Sequence, residues 1–474
     1  MFQNEAPLAQ AWLAARAKNR QSLQIPGHKN RYSLQDTGLP GYDLLAPLIR
    51  DDLPLQGGVD DNAYSHQFLA RAEQLWADAV GARHARFGVG GSSQGNMAAI
   101  AAISQPGLPL ILDRTSHRSV HSGLVISGAR PIWVLPQIHP EFGIPVGMVL
   151  KDLPTRRATA LFVTSPSYVG TISDIAPVAR LAHDSGIPLV VDQAWGAHLD
   201  FLSPNQGAMS AGADLVTTSV HKAIMGYSQT AVTTVGGDLV SDEALNRAID
   251  LLTTTSPSGT LMASIDVTRA VLLEVGEEYL DRAIAAVEIA RASIKKISGV
   301  VVIDQSTAGC AVDPLKLTLW LPRTGVTGTE LANYLWERDL GVESADADTL
   351  VMTYSLVDSP EFIRDSAAFV GQLIEGNRKE PRAPVPTGVW RVQPIVDLTP
   401  REAFYAPSRR VHLHESVGLV STEQFCPYPP GVPLIAPGER ITEELIDAVR
   451  IAAGSTRVAY SCDPTLKTVT VVAE

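Results

Sequence analysis

The chain has 474 residues, 45% hydrophobic and 19% charged, the make-up of a folded globular protein with two or three domains and a large core. Asp plus Glu number 50 against 38 Lys plus Arg, and the formal charge of −12 argues against nucleic acid or an anionic membrane as partner. Cys310, Cys426 and Cys462 form neither a CxxC pair nor a metal-ligand spacing, so no metal is expected and reduced thiols in a cytoplasmic protein are.

Residues 1–45 read as an N-terminal arm, in which apolar residues at helical spacing from Leu8 to Ala17 lead to the polar turn Ile25-Pro-Gly-His-Lys29. The first residues lack the basic start and apolar stretch of a signal peptide, and no apolar run reaches membrane-spanning length. From about 65 to 265 short apolar runs alternate with helical patterns. Strands are predicted at Leu108–Leu112, Ile132–Leu135, Ala160–Thr164, Leu189–Val191, Leu215–Thr218 and Ala231–Val235. They are rich in Val, Ile and Leu without alternation, as strands covered on both faces are. Ser173–Gly186 has a capping residue, helical apolar spacing and a terminal glycine, which makes a β-α-β pattern and a mostly parallel sheet.

A long helix is predicted over about 266–297. A smaller α/β unit follows, with strands near Val300–Ile303, Lys316–Leu321 and Leu350–Tyr354 and helices near 328–338 and 360–375. The charged, proline-rich stretch Asn377–Pro386 reads as a linker. The last unit holds a rigid, irregular loop, Cys426-Pro-Tyr-Pro-Pro-Gly-Val-Pro-Leu-Ile-Ala-Pro-Gly-Glu439. The expected division is an arm (1–45), a large domain (46–275), a small α/β domain (276–385) and a C-terminal domain (386–474).

Ligands of an open parallel sheet bind beyond the carboxyl ends of its strands. There the sequence places Asp113 and His117, then Ser165, Ser167 and Tyr168, then Asp192, then Ser219, His221 and Lys222. Lys222 can form a Schiff base with an aldehyde cofactor, and Ser219 can hold the cofactor's phosphate. Pyridoxal 5'-phosphate also needs a carboxylate at its pyridine nitrogen, a phosphate cradle at a helix start and a flat group on its ring. Asp192 lies 222 − 192 = 30 residues before Lys222, room for one crossover helix. Gly90-Gly-Ser-Ser-Gln-Gly-Asn96 precedes a helical pattern and offers Ser92, Ser93 and Gln94 as the cradle. His117 can stack on the ring. The glycine-rich turn lacks the Lys-Ser/Thr of a nucleotide-binding P-loop.

These segments together resemble the bacterial ornithine/lysine/arginine decarboxylases, a fold type I family that depends on pyridoxal phosphate, over nearly the whole chain. The resemblance is carried by Pro26-Gly-His-Lys29, Asp113-Arg-x-x-His117-Arg-Ser119, Thr164-Ser-Pro-Ser-Tyr168, Asp192-Gln-Ala-Trp-Gly-Ala-His-Leu-Asp-Phe201 and Ser219-Val-His-Lys222. Further on it rests on Thr254-Thr-Ser-Pro-Ser258 with Leu261–Asp266, and on Tyr428-Pro-Pro-Gly-Val-Pro-Leu434 with Pro437-Gly-Glu439. It implies an aspartate aminotransferase-like large domain, a small domain and a decarboxylase C-terminal domain. Ala194 is expected under the ring and Ser256 at the phosphate of the neighbouring subunit, in a homodimer or dimer-based oligomer. The segment from Cys426 to Glu439 is expected to border the substrate. Gly90, where an asparagine is usual, and Gly259-Thr260, where an aromatic-aliphatic pair is usual, depart from the family pattern. The chain resembles the short members, without an N-terminal receiver-like domain.

The resemblance implies decarboxylation of arginine, lysine or ornithine to agmatine, cadaverine or putrescine, a step in polyamine biosynthesis. Lys222 would carry the cofactor, Asp192 keep its ring nitrogen protonated and His117 cover its face. His221 would contact the phosphate or reprotonate the substrate Cα. Glu415 or Glu439 would receive the distal cation of the substrate. Two rivals are an aminotransferase or lyase on another amino acid, and a non-catalytic regulator that kept the fold.

Overall fold

The computed structural model describes residues 3–18, 23, 25–30, 42–60, 67–105, 107–385, 392–428, 431–455 and 458–473. The centre of the large domain is a seven-stranded sheet. Its strands are β1 (His84–Gly88), β2 (Pro109–Asp113), β3 (Arg130–Val134), β4 (Leu161–Thr164), β5 (Leu189–Asp192), β6 (Leu215–Ser219) and β7 (Ala231–Val235), ordered β1-β7-β6-β5-β4-β2-β3. Only β7 runs against the rest. Burial on both faces explains the lack of alternation. Leu110, Leu112, Phe162 and Val190 enter one apolar cluster with Ile100 and Leu124, whereas Ile111, Leu161, Val163 and Val191 enter another with Val178 and Ala182. The six strands expected from sequence are present within one or two residues. β1 was not expected, because His84 and Arg86 hide its apolar signal; both side chains instead bond Asn246 at 2.9 and 2.7 Å.

The helix α1 (Pro7–Ala17) is docked onto this domain. Asp266 Oδ2 accepts the N–H groups of Leu8 (2.8 Å) and Ala9 (3.3 Å), and Trp12 Nε1 donates to Thr260 Oγ1 at 2.9 Å. Thr260 also takes the Leu53 N–H and donates to the Asp51 carbonyl. The unusual Gly259-Thr260 pair is thus an anchor for the N-terminal segment. Much of the expected arm, including residues 31–41, lies outside the described residues.

The helices that frame the site are α2 (Gly91–Ile103), α3 (Arg118–Ser127), α4 (Ile175–Asp184) and the short α5 (Val220–Ala223). The predicted cap at Ser173 is not used: Asp174 begins α4 and makes no side-chain cap bond. The predicted single helix over 266–297 is three pieces, α6 (Gly259–Val271), a π-turn at Leu272–Gly276 and α7 (Glu277–Ile294). One wide turn shifts the helical phase, which a constant period cannot reveal.

The small domain packs α7 and α9 (Pro360–Gly376), with α8 (Gly328–Trp336), against an antiparallel sheet of order β8-β9-β11-β10. Its strands are β8 (Val301–Ile303), β9 (Lys316–Trp320), β10 (Ser344–Ala345) and β11 (Thr349–Thr353). The expected boundary at 386 lies in residues 386–391, outside the described ones. The C-terminal unit pairs β12 (Ser408–His412) with β15 (Thr468–Val472) and β13 (Cys426–Tyr428) with β14 (Val458–Tyr460). Phe425, Ile435, Ile441 and residues of α10 (Glu443–Ser455) form its core.

Candidate active site

Beyond the carboxyl ends of β2, β4, β5 and β6 lies a cleft. Among its lining residues are Ser92, His117, Asp192, Ala194, Trp195 and Lys222, and the C-terminal unit adds Tyr428 and Val432. Asp192 closes β5 and Lys222 sits in the short helix that follows β6. Parallel neighbours in register bring the two ends together although 30 residues separate them. Asp192 is 2% exposed, its Oδ1 accepting the Ala194 N–H at 3.0 Å and its Oδ2 the Asn96 amide at 2.7 Å. Burial raises its carboxyl pKa, against the pull of Lys222 and these two donors. Burial lowers the Lys222 ammonium, and Asp192 and Glu343 oppose that. Lys222 Nζ lies 3.9 Å from the centre of the Trp195 ring and makes no hydrogen bond or ion pair among the described residues.

His117 begins α3, where its Nδ1 accepts the Ser119 N–H at 3.3 Å and lies 2.8 Å from Ser119 Oγ. Burial, then Lys222 and Arg118, push its pKa down to about 3, so the ring is neutral. Gly431 of the C-terminal unit packs against it. A Cβ there would stand 3.0 Å from His117 Cδ2 and 3.1 Å from Nε2, and Gly431 has φ +83. Asp113 shapes the turn before His117 by accepting the N–H and hydroxyl of Thr115 at 2.8 and 2.7 Å.

The glycine-rich turn opens α2, so the N–H groups of its first turn face the cleft end of the helix. Ser92 lines the cleft and Ser93 is half-buried beside it. The Gln94 side chain turns away from the cleft, accepting Gly90 N–H at 2.9 Å and donating to Thr253 at 2.5 Å. A Cβ at position 90 would meet that Gln94 Oε1 at 2.7 Å, which accounts for glycine there.

These residues fit pyridoxal phosphate on the structure's own terms. Among the described residues the Ser219 and Thr164 hydroxyls are buried without a hydrogen-bond partner; Thr164 lines the cleft with the buried Lys222 amine and Asp192 carboxylate, and Ser219, outside that lining, begins the short helix that carries Lys222. Other expected residues lie elsewhere. His221 donates through Nδ1–H to the Thr230 carbonyl, 2.9 Å away, and is outside the cleft lining. Ser256 is exposed. Glu439 is 1% exposed and ion-paired through Oε2 to Arg114 at 3.0 Å, with Oε1 buried and without a hydrogen-bond partner among the described residues. Glu415 is exposed beside His414, and Cys426 is buried with its thiol pushed up to about 12 by burial. None of these three lines the cleft.

Sequence reading missed Asn96, Trp195 and Glu343. Asn96 lies one helical turn after Ser92, which puts it on the same face of α2, and that spacing was the available signal. Glu343 comes from the small domain, and its charge acts on Lys222, Tyr428 and the buried Lys316, a second lysine 3.9 Å from the Trp195 ring. No sequence spacing could have joined it to the site.

A sheet covered on both faces, with a lysine beyond one strand and an aspartate beyond its neighbour, defines the fold type I class of pyridoxal phosphate enzymes. Within that class, residues 6–361 match the model of the Orn/Lys/Arg decarboxylase major domain and residues 387–455 that of its C-terminal domain. The chain belongs to the Orn/Lys/Arg decarboxylase family. It is 31% identical to an arginine decarboxylase of Halalkalibacterium halodurans over 94% of this chain and 93% of that one. It is also 31% identical to the arginine decarboxylase of Bacillus subtilis, over 95% and 94%. The structure of lysine decarboxylase A from Pseudomonas aeruginosa superposes with a TM-score of 0.81 at 19% identity, covering 98% of this chain and 80% of that one.

Proposed function

We propose that the protein decarboxylates a basic L-amino acid, arginine in preference to lysine or ornithine, with pyridoxal phosphate held at Lys222. The observation that carries this reading is the shared cleft of Lys222, Asp192 and His117, in which no arginine stands among the described lining residues. An aminotransferase grips the substrate carboxylate with an arginine; a decarboxylase gains by leaving that carboxylate unbound, since binding it stabilises the ground state. The preference for arginine is supported by 31% identity to two relatives named arginine decarboxylase.

When bound, the cofactor supplies a protonated ring that accepts the electron pair released with CO2. Lys222 presents a buried amine whose lowered pKa enlarges its nucleophilic neutral fraction. Asp192 offers a fixed anion to the ring nitrogen and so holds a proton there. His117 covers one ring face and Ala194 the other. Ser92, Ser93, the start of α2 and Ser219 hold the phosphate. Tyr428 and Val432 narrow the mouth of the cleft and limit water. Glu343, exposed and outside the cleft lining as Glu415 is, is the carboxylate whose charge acts on Lys222, and it receives the distal cation. It forms no ion pair among the described residues and acts electrostatically on Lys222 and Tyr428. The exposed Ser256 suits a phosphate contact across a homodimer. Three unpaired cysteines fit a cytoplasmic location.

The test is cofactor-loaded protein offered arginine, lysine and ornithine, with amine products identified by mass spectrometry. Agmatine as the dominant product is expected, and Glu343→Gln should raise KM at least tenfold. Keto-acid formation without CO2 release would overturn the reading.

A further inference from the structure

The two groups that would touch the cofactor ring from different sides, Asp192 and His117, are joined by a buried chain of hydrogen bonds. Asn96 is 1% exposed on α2 and Ser119 is 4% exposed in the first turn of α3. Asn96 Nδ2 donates to Asp192 Oδ2 at 2.7 Å and to Ser119 Oγ at 3.1 Å. Ser119 Oγ stands 2.8 Å from His117 Nδ1. An amide nitrogen only donates, so Ser119 Oγ accepts from Asn96; because the Ser119 backbone N–H makes His117 Nδ1 an acceptor, the hydroxyl proton points to that nitrogen. The Ser119 backbone N–H aims at the same ring nitrogen. Two donors on Nδ1 leave the imidazole proton on Nε2. The amide cannot be turned over, because Asn96 Oδ1 would then face the Asp192 carboxylate. In the orientation it holds, Oδ1 is buried and has no partner. Native structures seldom leave such an atom unsatisfied, and a functional constraint is one reason they do.

Resting on the decarboxylase reading, we propose that Asn96 and Ser119 are positioning residues that set where protons sit around the cofactor ring: Asn96 keeps Asp192 an oriented anion, and Ser119 locks His117 as the neutral Nε2–H tautomer. The alternative is that the chain only packs α2 against α3. Two features separate these roles. Burial works against the Asp192 anion, and Asn96 is one of two hydrogen-bond donors that oppose it among the described residues, with Lys222 the facing cation. The charges facing His117 are Lys222 and Arg118, with His121 nearby, so electrostatics disfavours its protonation but does not choose between tautomers. Ser119 makes that choice.

The experiment uses the full chain with 15N-labelled histidine, before and after loading with pyridoxal phosphate. The His117 signals are assigned by their loss in His117→Gln. Before loading, ring nitrogen shifts should report Nε2–H with no titration above about pH 4, given a pKa lowered to about 3. Ser119→Ala leaves only the backbone N–H, at 3.3 Å, on Nδ1 and should raise the population of the Nδ1–H form, and Ser119→Thr, which keeps the hydroxyl, should restore the parental balance. Asn96→Ala should weaken pyridoxal phosphate binding roughly ten- to a hundred-fold, the value of one charged hydrogen bond, and shift the pH midpoint of the bound cofactor's visible spectrum. An unchanged tautomer in Ser119→Ala, or a variant pair that loses thermal stability while cofactor affinity and spectral midpoint hold, overturns the proposal. The tautomer is read without cofactor, so a chain that bound no pyridoxal phosphate would sink the functional reading while this measurement still stood.

Discussion

Glu439→Leu should destabilise the protein by about 3–5 kcal/mol, the cost of leaving a buried partner charge unpaired. Arg114 and Glu439 are 2% and 1% exposed and meet at 3.0 Å. Arg114 also donates to the Leu434 carbonyl at 3.0 Å, and Glu439 accepts the Ala436 N–H at 3.0 Å, so the pair ties the turn after β2 to the proline-rich loop of the C-terminal unit. Burial raises the Glu439 carboxyl more than Arg114 lowers it. Desolvation therefore outweighs attraction, and the pair is weak as a source of stability even though breaking it is costly. A raised folded pKa means that this group's contribution is complete below its unfolded pKa and is lost as the pH rises through the folded value. The double variant Arg114→Met/Glu439→Leu should accordingly be within about 1–2 kcal/mol of the parent, or more stable, with a flatter stability profile toward high pH. Urea unfolding followed by tryptophan fluorescence suits the test, because Trp133 lies under the Arg114 guanidinium at 5.1 Å. An unchanged midpoint in Glu439→Leu together with a large rise in KM for basic amino acids would refute the reasoning and return Glu439 to the substrate.

Lys222→Ala should abolish the visible absorbance of lysine-bound cofactor, and absorbance equal to the parent's would remove Lys222 from its role. Asp192→Ala should cut turnover by about two orders of magnitude or more, as loss of an electrostatic catalytic group does; near-parental kcat counts against it. Gly431→Ala forces a left-handed backbone on alanine, at about 1–2 kcal/mol, and drives a methyl against His117 at 3.0–3.1 Å. Weaker cofactor binding by the folded variant is expected, and binding at parental strength would show that the C-terminal unit does not hold His117. Burial pushes the Asp200 carboxyl up to about 7, with Gln193 Nε2 donating to it at 2.8 Å. Its stabilisation is full below about pH 4 and declines by up to about 1.4 kcal/mol per unit as the pH rises to 7. Denaturation midpoints of Asp200→Asn should lack that decline; a slope identical to the parent's means that Asp200 is ionised in the fold.

What the sequence determined by itself is local or periodic. Unbroken Val, Ile and Leu runs announced strands covered on both faces, and the crossover pattern fixed their parallel course. Ligands of such a sheet collect at the carboxyl ends, so Asp192, His117 and Lys222 were legible as one site before any coordinates. Tertiary structure decided whatever depends on partners distant in the chain. Glu439 and Glu415 read alike as loop carboxylates, and only packing shows one sealed against Arg114 and the other in solvent. Glu343 acts on Lys222 because the small domain folds back onto the large one, and Gln94 leaves the cleft because its amide closes its own helix turn. Asn96 was visible as a helix residue, but its link to Ser119 and Asp192 comes from three elements meeting beyond the carboxyl end of the central strand β5. A residue's own chemistry is written in the chain; which of its hydrogen bonds are already taken is settled only when the chain is packed.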